Sequence, residues 1–325
     1  MPDRQRRLAD VSEGALLAEL FPLLRGGPAL PVGPGDDAAV LTTGPSTVAT
    51  TDSMVRGRDW LDEWSGPGDV AVKLLTQNLA DVAAMGARPT AVLVSLVADP
   101  QAPADWVVEF ARALGEHARI IRPQGVAVAG GDLSSAPAGV LVLSMTALGD
   151  LEGRPPVLRS GARPGDVVAV CGTLGRSAAG LALLEAGADP HSRPPGIRTS
   201  CLEHHLRPTA PLAEGPRAAE AGATSMIDLS DGLLRDGHRV AEASGVRLAL
   251  EAGALEPHVR SLAGAVGDDA ALECVLAGGE EHSLLATFPG EPPEGWAAIG
   301  LVETGGGVTL DGAPQQPRGW DHFAS

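Results

Sequence analysis

Residues 226–236, MIDLSDGLLRD, pass from an apolar run through a Ser-Asp-Gly turn into a helical spacing, and their reading decides the fold. With Ile227 to Ser230 as a strand, the period of two puts Asp228 and Ser230 on one face and Ile227 and Leu229 on the other. Gly232 lets the chain turn, and Leu233, Leu234, Gly237, Val240, Ala241 and Ser244 then recur as one helix face. Asp231 stands where an N-cap would stand, but position 234 is Leu, so no capping box completes it. Strand, acidic turn and helix in immediate succession imply a mixed α/β or α+β architecture.

The same alternation extends outward. Strands are predicted over Val48–Thr51, Ala91–Val97, Val126–Ala129 and Val140–Thr146, and helices over Val70–Met85 and Trp106–Ala118. Gly86 and Pro89 form the stop signal of the first helix. The Gly-, Pro- and Arg-rich run around 148–164 breaks both periodicities, which sets a boundary near residue 150 and domains of 1–150 and 151–325. Val167 to Leu184 reads as a further strand-turn-helix, and Ala186 to Pro211 as a looser Pro-rich connection.

Composition removes several function classes. A net charge of −17 argues against nucleic acid as a partner, because neutralising phosphates needs clustered Lys and Arg. Mean hydropathy is near zero and no 18-residue apolar run occurs, so no membrane span and no export signal are expected. Cys171, Cys201 and Cys274 lie far apart without CxxC spacing, which suggests neither zinc nor disulfides and fits a cytoplasmic setting. Lys73 is the only lysine among 24 basic residues.

Acidic residues recur beside the strand-like runs. Asp36 and Asp37 precede Ala38 to Leu41, Asp52 closes TTD, Asp132 follows Gly130-Gly131, and Asp228 and Asp231 belong to the opening stretch. Asp81 stands inside the apolar helix segment NLADVAAMG, where a lone buried carboxylate is costly. A turn or a cap accounts for most of these singly. Together they point to one ligand-binding edge, since strand ends of α/β sheets gather where ligands bind. Two carboxylates about 4 Å apart repel by about 4 kcal/mol at an effective dielectric of ~20, so converging acids call for cations. Oxygen ligands without paired His or thiolate favour Mg²⁺, which commonly holds substrate phosphates too, and phosphoryl transfer follows. No P-loop is present; GTLGRS at 172–177 could offer helix N-terminal N–H groups to a phosphate or be a plain strand-to-helix turn.

Eight stretches in order, GDDAAVL, TTD, KLLTQNLADVAAMGARP, GGDLSS, LRSGARPGD, IDLSDGL, GGEEHSLLATFP and GWDHF, span some 290 residues and resemble the thiamine-monophosphate kinase family of the aminoimidazole-ribotide synthetase-like superfamily. The resemblance implies an N-terminal α+β domain for ATP and Mg²⁺ binding and dimerisation, whose strands form an intersubunit β-barrel in a homodimer. It implies a C-terminal α/β domain that completes the nucleotide and substrate cleft. The implied reaction passes the γ-phosphoryl of ATP to thiamine monophosphate, giving thiamine diphosphate. By the same resemblance Asp37, Thr50, Thr51, Asp52, Asp81, Asp132, Asp228 and Asp231 hold several Mg²⁺ ions. Gly131, Asp132, Arg159 and Ser230 contact the nucleotide, and Glu280 and Trp320 hold the thiamine moiety.

Three positions depart from the family pattern. Asp59-Trp60 stand where a His-Phe pair is common near the substrate, so Asp59 takes the substrate-side place and Trp60 could keep the aromatic surface. GGEDYEL is replaced by Gly278 to Leu284, GGEEHSL, and Trp320 replaces a tyrosine. Another superfamily member, or a noncatalytic nucleotide- or metal-binding homologue, is the alternative reading.

Overall fold

The computed structural model describes residues 6–24, 26, 29–34, 38–121, 125–192 and 195–320. The chain divides into two compact units, Met1–Asn78 with Pro89–Gly153, and Leu79–Arg88 with Arg154–Ser325.

The first unit carries α1 (Glu13–Leu20), β1 (Thr47–Val55), the first part of α2 (Pro67–Ala84), β2 (Arg88–Ala98), α3 (Ala104–Ile120), β3 (Ala127–Ser135) and β4 (Leu141–Asp150). Its strands form one sheet in the order β1-β4-β2-β3, with β1 and β4 antiparallel and β2 and β3 parallel. Side chains of β4 alternate between buried and half-buried along its whole length, the period-two pattern of a strand with one covered face. Helix α3 covers apolar surface with Val107, Phe110, Ala111, Leu114 and Ala118, spaced as a single helical stripe.

Helix α2 starts at Pro67, whose fixed φ suits a first turn, and Asp69 Oδ2 accepts from Gly66 N at 2.8 Å. Val70, Ala71, Leu74, Leu75, Leu79, Ala80, Val82 and Ala83 are all buried, so the helix is apolar nearly all round and lies inside the protein. Its last turns, from Leu79, belong to the second unit.

The second unit is built on a seven-stranded sheet in the order β11-β10-β7-β9-β5-β8-β6. In chain order its elements are β5 (Val167–Cys171), α4 (Arg176–Glu185), α5 (Ile197–Leu206), α6 (Glu214–Glu220), β6 (Ser225–Asp228), α7 (Leu233–Ser244) and β7 (Arg247–Leu250). There follow α8 (Ala252–Val266), α9 (Asp268–Ala277), β8 (Leu284–Phe288), β9 (Ala297–Glu303), β10 (Gly307–Leu310) and β11 (Ala313–Gln315). Only β10 and β7 run parallel; every other neighbouring pair is antiparallel. Strands β6 and β8 are buried at every position, so both faces of the sheet are covered there.

Two local expectations change. The Pro-rich connection expected over Ala186 to Pro211 contains α5, whose buried side is Thr199, Cys201, Leu202, His204, His205 and Leu206. Polar residues on the covered face hid the apolar stripe that would have marked it. The strand expected to reach Ser230 ends at Asp228: Leu229 N still donates to Ser283 O, the next position opposite β8, but Leu229 O accepts from His282 N instead of Ser283 N, an irregularity that closes the ladder.

Candidate functional site

In the first unit TTD and GGD lie within strands, not at their ends. Thr50, Thr51 and Asp52 sit in the middle of β1, with Asp52 opposite Met145 of β4. Thr51 Oγ1 donates to Met145 O at 2.9 Å, and Asp52 N donates to Asn78 Oδ1 at 3.1 Å. Asn78 is fully buried and its Nδ2 donates to Leu74 O at 2.8 Å, so this side chain ties α2 to the strand bearing Asp52. Gly130, Gly131 and Asp132 lie inside β3 just past a bulge that shifts its register on β2. A Cβ on Gly131 would come within 1.9 Å of Val94 O, so only glycine fits this close approach. Asp132 is exposed, its Oδ2 accepting from Ser134 Oγ at 2.7 Å. Asp37 lies outside the described residues.

Asp59 closes a turn: its Oδ2 accepts from Val55 N at 2.6 Å, and its carbonyl accepts from the buried Lys73 Nζ at 3.3 Å. Trp60 is only 4% exposed, stacks on Trp106 at 6.3 Å and donates from Nε1 to Asp62 Oδ1. It is a core aromatic, not the open surface the sequence allowed.

The second unit assembles a denser site around the Ser-Asp-Gly turn. Asp228 is 3% exposed at the end of β6, with its Oδ2 3.5 Å from His282 Nδ1. The residue before helix α7 is Gly232 at φ +117°, so Asp231 is not the N-cap. Asp236, fully buried in the first turns of α7, instead ties down the turn ahead of the helix, its Oδ2 accepting from Asp231 N at 3.0 Å and Gly232 N at 3.1 Å. Arg239 clamps the arrangement, donating to Asp236 Oδ1 at 2.6 Å and to Asp231 Oδ2 at 2.5 Å. Burial, with the neighbouring charge of Asp228, pushes the Asp236 carboxyl up to about 7 against the pull of Arg239. The sequence reading passed over Asp236, although an Asp near the start of a helix is the residue type that reaches back to orphan N–H groups.

Backbone hydrogen bonds bring two expected substrate residues onto this turn. Glu280 N donates to Ser230 O at 2.7 Å, and Trp320 N donates to Asp231 O at 3.0 Å. Glu280 and His282 both have positive φ, 57° and 54°, a strained state for residues with a Cβ. The alternation separates two adjacent acids. Glu281 is buried: Oε2 accepts from Ser177 N at 3.0 Å, Oε1 accepts from Thr173 Oγ1, and His204 Nε2 lies 3.4 Å away. Glu280 keeps a side chain 38% exposed, and Trp320 is 48% exposed.

Glu281 also bears on the two readings of GTLGRS: this internal carboxylate accepts from Ser177 N in the first turn of α4 and from the Thr173 hydroxyl before it, a structural use of the turn. Burial pushes the His204 imidazole below its ordinary range, with the Glu281 charge partly opposing the shift.

Two expected residues lie on other elements of the chain. Arg159 is exposed in a short 3₁₀ turn, and its carbonyl accepts from Ser244 Oγ at 2.8 Å, at the far end of α7 from Asp231. Asp81 is half-buried in the stretch of α2 that belongs to the second unit. Among the described residues no three His, Cys, Asp or Glu side chains converge as a metal cage, and no helix is long and apolar enough to cross a membrane.

Comparison with known proteins adds an independent line. Residues 35–151 match the family model for AIR synthase related protein, N-terminal domain. A thiamine-monophosphate kinase of Mycobacterium tuberculosis (strain H37Rv) is 44% identical over 298 residues, covering 90% of this chain and 86% of the relative. The crystal structure of thiamine-monophosphate kinase from Stenotrophomonas maltophilia K279a superposes with a TM-score of 0.79 at 31% identity, over 92% of this chain and 95% of that one. A structure of AaThiL complexed with AMPPCP and TMP superposes with a TM-score of 0.76 at 29% identity, over 99% of this chain and all of that one. The fold is therefore that of aminoimidazole-ribotide synthetase-like proteins. Since identity of this level runs through nine-tenths of the sequence and the solved structures carry the same fold, the chain belongs to the thiamine-monophosphate kinase family.

Proposed function

We propose that the protein transfers the γ-phosphoryl of ATP to thiamine monophosphate, giving thiamine diphosphate and ADP. The observation that carries this reading is the 44% identity over 90% of the chain to a relative named for that activity. The neighbour bound to AMPPCP and TMP adds the two substrates in one fold.

The acceptor needs no general base. A phosphate monoester has a second pKa near ~6, so its oxygen is already largely ionised at neutral pH. The obstacle is repulsion between two polyanions. The donor set fits a hard cation: Asp37, Thr50, Thr51, Asp52 and Asp132 of the first unit and Asp81, Asp228 and Asp231 of the second offer only oxygen. Mg²⁺ is commonly held by one or two carboxylates plus substrate phosphates. When bound, it neutralises phosphoryl charge and aligns a direct in-line transfer without a phosphoenzyme.

The chain's own residues orient the substrates. In this reading Gly131, Asp132, Ser230 and Arg159 contact the nucleotide, and Asp59 takes the substrate-side place. Glu280 offers its carboxylate to the thiamine cation, and the half-exposed Trp320 indole offers an aromatic face to the same charge.

A homodimer closed by an intersubunit barrel completes the reading. Strand β1 is a nine-residue edge strand without Lys or Pro, and Val55 and Leu93 are 40% and 37% exposed on this sheet. Such an edge is a pairing template unless another strand covers it. Free thiols at Cys171, Cys201 and Cys274 fit the reducing cytoplasm.

The test is to incubate purified protein with ATP, Mg²⁺ and thiamine monophosphate and to follow thiamine diphosphate. Product is expected, with none when EDTA removes the metal or when free thiamine replaces the monophosphate. ATP binding without product would overturn the kinase reading in favour of a noncatalytic nucleotide-binding homologue.

A further inference from the structure

We propose that His205 is a positioning residue that fixes the Glu280 carboxylate for the acceptor substrate, an inference resting on the reading of Glu280 as the group that holds the thiamine cation. Holding a glutamate side chain that is 38% exposed in one rotamer costs conformational entropy, which its contacts must offset. The backbone of Glu280 is already pinned, with φ at +57° and its N–H on Ser230 O. Its side chain meets His205, whose Nδ1 lies 3.5 Å from Oε2, an ion-pair distance when the imidazole is protonated.

His205 is itself held. It is 8% exposed, and its Nδ1 is 3.1 Å from the hydroxyl of Ser177, a residue 1% exposed. Ser177 in turn donates its backbone N–H to Glu281, the inward-facing neighbour of Glu280. Its single Nδ1 proton can be shared between the Ser177 hydroxyl and Glu280 Oε2, so the imidazole lies between the buried acid's anchor and the exposed acid. Helix α5 reaches this position because α4 carries Gly180 at the crossing, where a Cβ would fall 2.2 Å from Cys201 O and 2.7 Å from His205 Cβ. A rigid helix pair therefore carries the support, as a precise site requires.

The test compares His205→Asn with His205→Gln, two polar substitutions of similar size. Asn places an amide near the position of Nδ1, whereas Gln carries it past that position. Steady-state KM is measured separately for thiamine monophosphate and for ATP, with thermal melting as the folding control. His205→Gln is expected to raise KM for thiamine monophosphate about tenfold and leave KM for ATP unchanged, while His205→Asn stays within about threefold of wild type. In a Glu280→Gln background, His205→Gln should add nothing further, because both changes act on one carboxylate. Equal behaviour of the two His205 variants, a shift in both KM values, or full additivity with Glu280→Gln would overturn the inference and leave His205 a packing residue. Wild-type protein that forms no thiamine diphosphate would instead overturn the functional reading, and the inference with it.

Discussion

The two units carry their acids in opposite ways. Asp132 of the first unit is exposed on a strand, where its Oδ2 accepts from the Ser134 hydroxyl. In the second unit Asp228 and Asp236 are buried, and Asp231, Asp236 and Arg239 form one connected clamp. An exposed carboxylate is solvated in the free protein, so removing one changes binding and little of the fold. Buried carboxylates are part of the packing, and their loss leaves donors without acceptors. The contrast predicts that function and stability separate in the first unit and mix in the second.

The most severe break is at the proposed metal ligands. Asp132→Asn and Asp228→Asn should each cut thiamine diphosphate formation about 10²–10³-fold, since charge facing the transferred group is the largest lever in such a site. Melting temperature should hold in Asp132→Asn and move by at most a few degrees in Asp228→Asn. Retained turnover in Asp132→Asn would remove the first unit's acid from the machinery.

Next comes Glu281→Ala, which strips the acceptor from Ser177 N and Thr173 Oγ1 at the start of α4. Urea unfolding should show a loss of about 2–3 kcal/mol, the range for a buried donor left unsatisfied. Asp236→Ala should cost about 2 kcal/mol in the same assay by freeing the N–H groups of Asp231 and Gly232. An unchanged midpoint in either variant would erase the contrast between the units.

The smallest effect concerns pH. Burial lowers the folded pKa of His204 beneath its ordinary 6.5, so between the two values the unfolded chain binds more protons than the folded one. Stability from this group is complete above about 6.5 and falls as pH drops through the lowered folded value. His258, also lowered by burial, acts in the same direction. His204→Gln should flatten the acid side of a melting-temperature profile, and an unaltered profile would show that His204 is not the group responsible.

Much of the fold was legible where periodicity and burial agree. Leu233, Leu234, Gly237, Val240 and Ala241 were expected on one helix face and are the buried face of α7. What escaped was polar and buried together: Asp236 shares that same face, and α5 turns Thr199, Cys201, His204 and His205 inward. No apolar pattern marks such positions, because their burial is balanced by partners distant in sequence. The acid motifs were legible as a set. Their placement was not: TTD and GGD read as strand ends, yet lie within β1 and β3. The threonines of TTD are good strand formers, and the bulge beside GGD absorbs the irregularity that glycines advertise. Whether Glu280 or Glu281 faces outward depends on left-handed backbone at non-glycine positions, which a sequence does not announce.

The strand order of the second unit also constrains synthesis on the ribosome. β9, Ala297–Glu303, lies between β5, Val167–Cys171, and β7, Arg247–Leu250, so the sheet stays split until residues near 300 have emerged. During that interval apolar edges of β5 and β7 stand open, as long-range pairing of this kind forms late. The first unit's sheet, by contrast, has all four of its strands translated by Asp150. A nascent chain stalled between these points would present one sheet with its full strand complement and one set of unpaired edges, the species on which a chaperone would act.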